Sequence, residues 1–105
     1  MGNRKRITTS AMQLVWTHKA IKDLIAIRRY IAQNNPLAAA NVAATINSHV
    51  QYLQSFPDMG MRLKDETTRR LVIPRFPYFV IYVLSVSNIE ILSVYHTAQQ
   101  WPEKL

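Results

Sequence analysis

Tyr78-Phe79-Val80-Ile81-Tyr82-Val83-Leu84, then Ser85-Val86-Ser87-Asn88, then Ile89-Glu90-Ile91-Leu92-Ser93-Val94-Tyr95-His96: these nineteen residues decide the fold. The first segment is apolar throughout, as a central strand buried on both faces is. The short break reads as a turn and the last segment alternates, which together make a β-hairpin. Just upstream, Arg70 to Ile73 is a further apolar segment, set off by Pro74-Arg75-Phe76-Pro77.

Before these strands the period changes from two to about three and a half. Thr17 is a good N-cap, and Ala20, Leu24, Ile27 and Ile31 fall at i, i+4, i+7 and i+11 of a helix over His18 to Gln33. Ile21 and Ile25 widen that stripe, while Lys19, Lys22 and Arg29 share the opposite side. Arg28 falls among the apolar positions, either with its stem along apolar surface or as an anchor for an acidic partner. Asn34-Asn35-Pro36 ends this helix and opens a second, from Pro36 to about Ser55, with stripe Ala39, Val42, Ile46, Val50 and Leu53. Its alanine-rich first half permits close approach of the first helix. The apolar run Gln13 to Trp16 adds an N-terminal strand. The predicted class is α+β: N-terminal strand, antiparallel two-helix hairpin packed on a small antiparallel sheet, in the order β-α-α-β-β-β.

Composition bounds the function. At 105 residues the chain is one domain, placed at residues 12–105. Residues 1–11, with Arg4, Lys5 and Arg6 and no acid, read as a flexible basic tail or as residues ahead of a true start at Met12. The hydrophobic fraction of 49% excludes disorder for most of the chain, and the absence of cysteine excludes disulfides and thiolate sites. No apolar run approaches the roughly 20 residues of a membrane span, and a cytoplasmic protein with no membrane association is expected. The net charge of +7 points to an anionic partner. Three of those charges sit in the tail and three more lie between residues 12 and 56, leaving the sheet half nearly neutral. That location suits an acidic protein better than nucleic acid.

Chemistry-bearing residues are sparse. His18, His49 and His96 are too scattered for a metal site, and neither a metal nor any other cofactor is expected. With Gly2 and Gly60 as its glycines, the chain has no phosphate loop, and it lacks paired carboxylates. One enzymatic option stays open, a metal-free RNA-cleaving site. His96 and Tyr95 would handle protons there, and Arg62, Arg69, Arg70 and Arg75 would face phosphate charge. The plainer alternative is that these arginines are solvated and Tyr95 packs.

From Met12 to Pro102 the chain resembles the RelE/ParE superfamily of bacterial toxins, the toxin halves of type II toxin-antitoxin pairs. The resemblance is carried in order by Val15-Trp16-Thr17, Ala20 with Asp23-Leu24 and Ile27, and Tyr30-Ile31-Ala32. Asn35-Pro36 with Ala38-Ala39, Phe56-Pro57 with Met59-Gly60, and Thr68-Arg69 before Leu71-Val72-Ile73 follow. Pro77-Tyr78 with Val80-Ile81-Tyr82, Ile89-Glu90-Ile91-Leu92, and His96 with Ala98 and Trp101-Pro102 complete it.

The superfamily implies one of two activities: messenger RNA cleavage on the ribosome in RelE-like members, or DNA gyrase inhibition in ParE-like ones. Where ribonuclease members tend to carry cations, this sequence has Phe79, Ser93 and Gln99. The resemblance therefore implies the ParE-like branch, which includes plasmid stabilisation proteins: a gyrase inhibitor, not an enzyme, neutralised by a cognate antitoxin in a hetero-oligomer. The alternatives are a ribosome-dependent endoribonuclease using His96 and Tyr95, and a degenerate, non-toxic member that still binds antitoxin. Expected target-binding residues are Arg62, Arg69, Arg75, His96 and Trp101. Expected antitoxin-binding residues are Lys19, Lys22 and Arg29, beside a groove between helices and sheet.

Overall fold

The computed structural model describes residues 12–98; the basic N-terminal residues, Gln99 and Trp101 lie outside this range. The elements are β1 (Gln13–Trp16), α1 (His18–Ala32), α2 (Pro36–Tyr52), β2 (Met61–Arg62), β3 (Thr68–Val72), β4 (Tyr78–Leu84) and β5 (Asn88–His96). Both helix starts follow from side-chain caps. The Thr17 hydroxyl oxygen accepts the Ala20 N–H, and the Asn35 side chain accepts the Ala38 N–H with Pro36 in the first turn. The α-helical part of α2 stops at Tyr52, and the expected extension to Ser55 is made of tighter i→i+3 turns ending on the Val50, Gln51 and Tyr52 carbonyls.

Among the described residues, five strands form one sheet in the order β1-β5-β4-β3-β2. It is mixed rather than purely antiparallel, because β1 runs parallel to β5, from Gln13 opposite Asn88 to Trp16 opposite Ile91. The long connection between them, through both helices and three other strands, frees β1 from hairpin geometry. A second departure is β2, a two-residue strand in a stretch that reads as polar loop, paired Met61 with Arg70 and Arg62 with Arg69.

The helices cover one face of the sheet. Val42, Ile46, Val50 and Leu53 meet Leu71, Ile73, Val80, Tyr82, Ile89 and Ile91 in the core. The α2 stripe is buried as its spacing predicts, with Ala39 also buried. The α1 stripe is narrower than its spacing suggests: Ala20 is buried and Leu24, Ile27 and Ile31 pack on the core, whereas Ile21 and Ile25 stay 44% and 48% exposed. The last strand and one neighbouring helix cannot cover so wide a stripe.

A bulge interrupts the β4–β5 ladder. Ile81 pairs with Ser93 but Tyr82 pairs with Ile91, so Leu92 is the extra residue. After it the alternation inverts. Val94 joins Ile89 and Ile91 in the core, while Ser93 and Tyr95 turn to the outer face with their partners Ile81 and Phe79.

The start of α1 holds that bulge in place. The Thr17 hydroxyl donates to the Ile91 carbonyl at 2.8 Å and lies 3.1 Å from that of Leu92, and the Thr17 N–H also bonds Ile91. Past the end of β1, the Asp23 carboxylate accepts the Val94 N–H, which no strand meets among the described residues, while also pairing with Lys19.

Candidate functional site

Strand β5 ends at a cleft between the sheet and α1. His96 and Tyr78, paired across the ladder, meet edge to face at 5.2 Å between ring centres. Ala26, Ile27 and Tyr30 of α1 close the cleft, which has a volume of about 490 Å³. His96 Nδ1 accepts the Ala98 N–H at 2.9 Å, so in the neutral ring the proton sits on Nε2. Burial, with Tyr30 nearby, pushes the Tyr78 phenol above its ordinary range, and it stays neutral.

Tyr95 takes no part in this cleft. It faces the outer side of the sheet, its ring 5.6 Å from that of Phe79, with the Lys19 ammonium 4.8 Å from the ring centre. On the far side of Phe79 the Arg70 guanidinium lies 5.7 Å from that ring. The outer face thus carries a row of cation, ring, ring, cation, with Phe79, Ile81 and Ser93 all buried along it. Consecutive strand residues point to opposite faces, so His96 and Tyr95 cannot attend the same substrate atom.

The arginines spread out as well. Arg69 pairs with Tyr82, four residues along β4 from Tyr78, which sets it roughly 13 Å along the strand direction from the His96 level. Its guanidinium donates to the Gly60 carbonyl at 2.6 Å, lies 3.2 Å from that of Asp58, and pairs with the Asp58 carboxylate at 3.4 Å. Arg69 therefore braces the loop ahead of β2. Arg62 is exposed and pairs with Glu66 at 3.5 Å. Arg75 is exposed in the β3–β4 turn with φ of 74°, nearer the cleft end of the sheet. Trp101 lies outside the described residues.

On α1, Lys19 is engaged by Asp23 at 2.8 Å and by Tyr95. Lys22 and Arg29 are exposed, and Arg28 and Arg29 border a shallow hollow with Ile25 and Ala32. This arrangement favours the solvent-facing reading of Arg28. Among the described residues no group of three or more His, Asp or Glu could hold a metal ion.

Several structural partners escaped sequence reasoning. Asp23 as an edge cap, Tyr78 and Tyr30 as the walls around His96, and Tyr82 as a buried anchor all depend on long-range pairing. Counting outward from the hairpin turn is the one signal that could have set Tyr78 beside His96, and it fails without knowledge of the bulge.

Comparisons with known proteins converge. Residues 14–101 match the ParE toxins of the type II toxin-antitoxin system parDE. The candidate toxin Y4kP of Sinorhizobium fredii is 38% identical over 96 residues, covering 91% of this chain and 99% of its own length. Toxin RelE2 of Caulobacter vibrioides is 38% identical over 87 residues, 83% of this chain and 97% of that protein. Among solved structures, the chromosomal ParDE system of P. aeruginosa superposes with a TM-score of 0.73 at 27% identity, over 84% of this chain and 98% of that one. The YoeB dimer from Staphylococcus aureus shares the fold at a TM-score of 0.58 and 18% identity, over 82% of this chain and 98% of that one.

Proposed function

The chain belongs to the family of ParE toxins of type II toxin-antitoxin systems, and we infer that it inhibits DNA gyrase and is held silent by a cognate antitoxin. The observation that carries this reading is the match to the parDE toxins over residues 14–101. The sheet supports it. Positions 79 and 93, where the superfamily's ribonucleases tend to carry cations, are here a buried Phe79 and a buried Ser93 on an outer face built of apolar and aromatic groups. Neither position supplies a cation to developing phosphate charge; the nearest cations on that face, Lys19 and Arg70, lie against the Tyr95 and Phe79 rings. His96 and Tyr95 are separated by the sheet itself, and Arg69 is committed to the Asp58–Gly60 loop.

The target-facing surface in this reading comprises the exposed Arg62 and Arg75 and the His96 cleft, with Arg69 bracing the loop beside it. The antitoxin meets the helical side, where Lys22 and Arg29 stand beside the exposed Ile21 and Ile25. An acidic, apolar segment complements that combination, and charge complementarity speeds and orients its docking. Gyrase and antitoxin place the action in the cytoplasm; among the described residues no helix is long and apolar enough to cross a membrane.

The test is direct. Added to gyrase, the full chain blocks ATP-dependent supercoiling, and the antitoxin restores it. Ribosome-dependent messenger cleavage lost in His96→Ala, with supercoiling unaffected, would replace this reading by the ribonuclease one. Normal growth and unaffected gyrase on expression without antitoxin would indicate a non-toxic antitoxin-binding member.

A further inference from the structure

The loop from α2 into β2 carries Met59-Gly60-Met61, two thioethers with one residue between them. Methionine ordinarily fills cores, yet these two are 44% and 62% exposed. Both line a groove of about 490 Å³ together with His49 and Tyr52 from the end of α2.

The backbone that carries the two sulfurs is fixed. The Gly60 N–H donates to the Tyr82 hydroxyl at 2.8 Å, and the Gly60 carbonyl accepts from the Arg69 guanidinium at 2.6 Å. The Met59 N–H bonds the Phe56 carbonyl at 3.0 Å, and Met61 is held opposite Arg70 in the β2–β3 ladder. The methionine side chains, with three rotatable bonds each, remain free to converge from these fixed points.

His49 is prepared as a third donor. Its Nδ1 lies 2.9 Å from the Thr45 carbonyl. A carbonyl oxygen only accepts, so Nδ1 carries the proton and the neutral ring keeps its lone pair on Nε2. Tying one ring nitrogen to a backbone carbonyl is a common way of orienting an imidazole whose other nitrogen holds a metal. The Tyr52 ring, edge to face at 5.9 Å, packs beside it.

The donor set selects its ion. His, Asp and Glu alone make no metal site among the described residues. No carboxylate lines the groove, so hard divalent cations find no anionic oxygen ligand there. The cation that does line it, Arg70, lays its guanidinium over the Phe79 ring on the outer face. Two thioethers and an imidazole are neutral ligands of the kind that suits Cu(I), and none of them has to lose a proton to bind it.

We propose that Met59, Met61 and His49 form a binding site for Cu(I), with Tyr52 beside it. Closing this site joins the end of α2 to the start of β2. It stands independently of the toxin reading. It revises the expectation of no metal drawn from the scattered histidines, since the thioethers supply donors that those histidines lack.

Anaerobic titration of the full chain with Cu(I) at neutral pH, in competition with a chromophoric Cu(I) chelator, tests the site. One ion is expected to bind, with both sulfur and nitrogen neighbours in its X-ray absorption spectrum. Met59→Leu combined with Met61→Leu conserves volume at exposed positions and is expected to weaken binding at least tenfold. His49→Gln, which keeps a donor for the Thr45 carbonyl, is expected to do the same and to remove the nitrogen neighbour. Met12→Leu, at a methionine packed on the core, leaves the affinity unchanged. Cu(I) is also expected to raise the thermal unfolding midpoint of the wild type and not that of the double variant. Equal affinity in the wild type and these groove variants places the ion elsewhere and overturns the proposal. Absence of binding, or tighter binding of Zn(II) than of Cu(I), overturns it as well. Each of these results leaves the toxin reading standing.

Discussion

The carboxylate of Asp23, on the second turn of α1, accepts the backbone N–H of Val94 at 3.0 Å, seventy-one residues away in sequence. It substitutes for a strand. β1 stops opposite Ile91, and beyond that point the edge of β5 would be an unpaired backbone row. The same oxygen receives the Lys19 ammonium at 2.8 Å, so one side chain joins the helix surface to the sheet edge.

Asp23→Ala leaves a part-buried N–H without its acceptor, which costs about 1–3 kcal/mol. Urea unfolding should show that loss, and Asp23→Asn should recover part of it by keeping an acceptor oxygen. An unchanged midpoint in Asp23→Ala would show that water replaces the carboxylate at this edge.

Tyr82 makes a second long-range anchor, and burial pushes its phenol up against the opposing pull of the Gly60 N–H and Arg69. Tyr82→Phe leaves the Pro57 carbonyl and Gly60 N–H unpaired, at a cost of about 1–3 kcal/mol. A Cβ on Gly60 would sit 2.7 Å from the Tyr82 ring and hydroxyl and 3.0 Å from the Arg70 carbonyl. Gly60→Ala should therefore be destabilising, and less so in a Tyr82→Phe background, since the two positions share a contact. Strict additivity in a double-mutant cycle would contradict this.

The pH dependence of stability has two identifiable contributors. Burial works against the Lys19 ammonium, but the hydrogen bond and charge of Asp23, with Tyr95, outweigh it and raise its pKa. A raised folded value means the contribution is complete below about pH 10.4 and is lost as pH rises through the folded pKa. Asp65 is shifted the other way, chiefly by hydrogen bonds from the Thr68 hydroxyl and N–H. Its contribution is present above about pH 3.9 and is lost as pH falls through the lower folded value. Unfolding midpoints compared with Lys19→Met and Asp65→Asn should converge on the wild type at the alkaline and acid ends respectively. Divergence at either end would reverse the sign of that contributor.

Charge on the exposed side of α1 bears on the antitoxin. Lys22→Glu combined with Arg29→Glu should slow association about tenfold at low salt, with the difference shrinking as ionic strength rises. Binding kinetics at two salt concentrations check this; a salt-independent effect would point to lost packing instead of charge.

The primary structure by itself determined most of the architecture. Thr17 and Asn35 cap helices because short polar side chains meet backbone N–H groups within three residues, and the α2 stripe from Ala39 to Leu53 is buried because its period matches a helix. Tyr78 to Leu84 reads as a central strand because it is apolar on both faces, and five of its residues in succession are buried. These signals are local, so they survive in a string of letters. The direction of β1, the existence of β2 and the exposure of Ile21 and Ile25 depend on which surfaces meet, and no local spacing encodes that. The candidate site depends on it most. Simple alternation from Ile89 and Ile91 would send Tyr95 to the helical face and His96 away from it. The extra residue Leu92, its carbonyl facing the Thr17 hydroxyl and the following Val94 N–H donating to the Asp23 carboxylate, inverts the pattern beyond it. His96 consequently faces Tyr78 and α1, and Tyr95 faces Phe79 and Lys19. A bulge is one residue of slack in a ladder, and only the tertiary contacts around it settle where that slack is taken up.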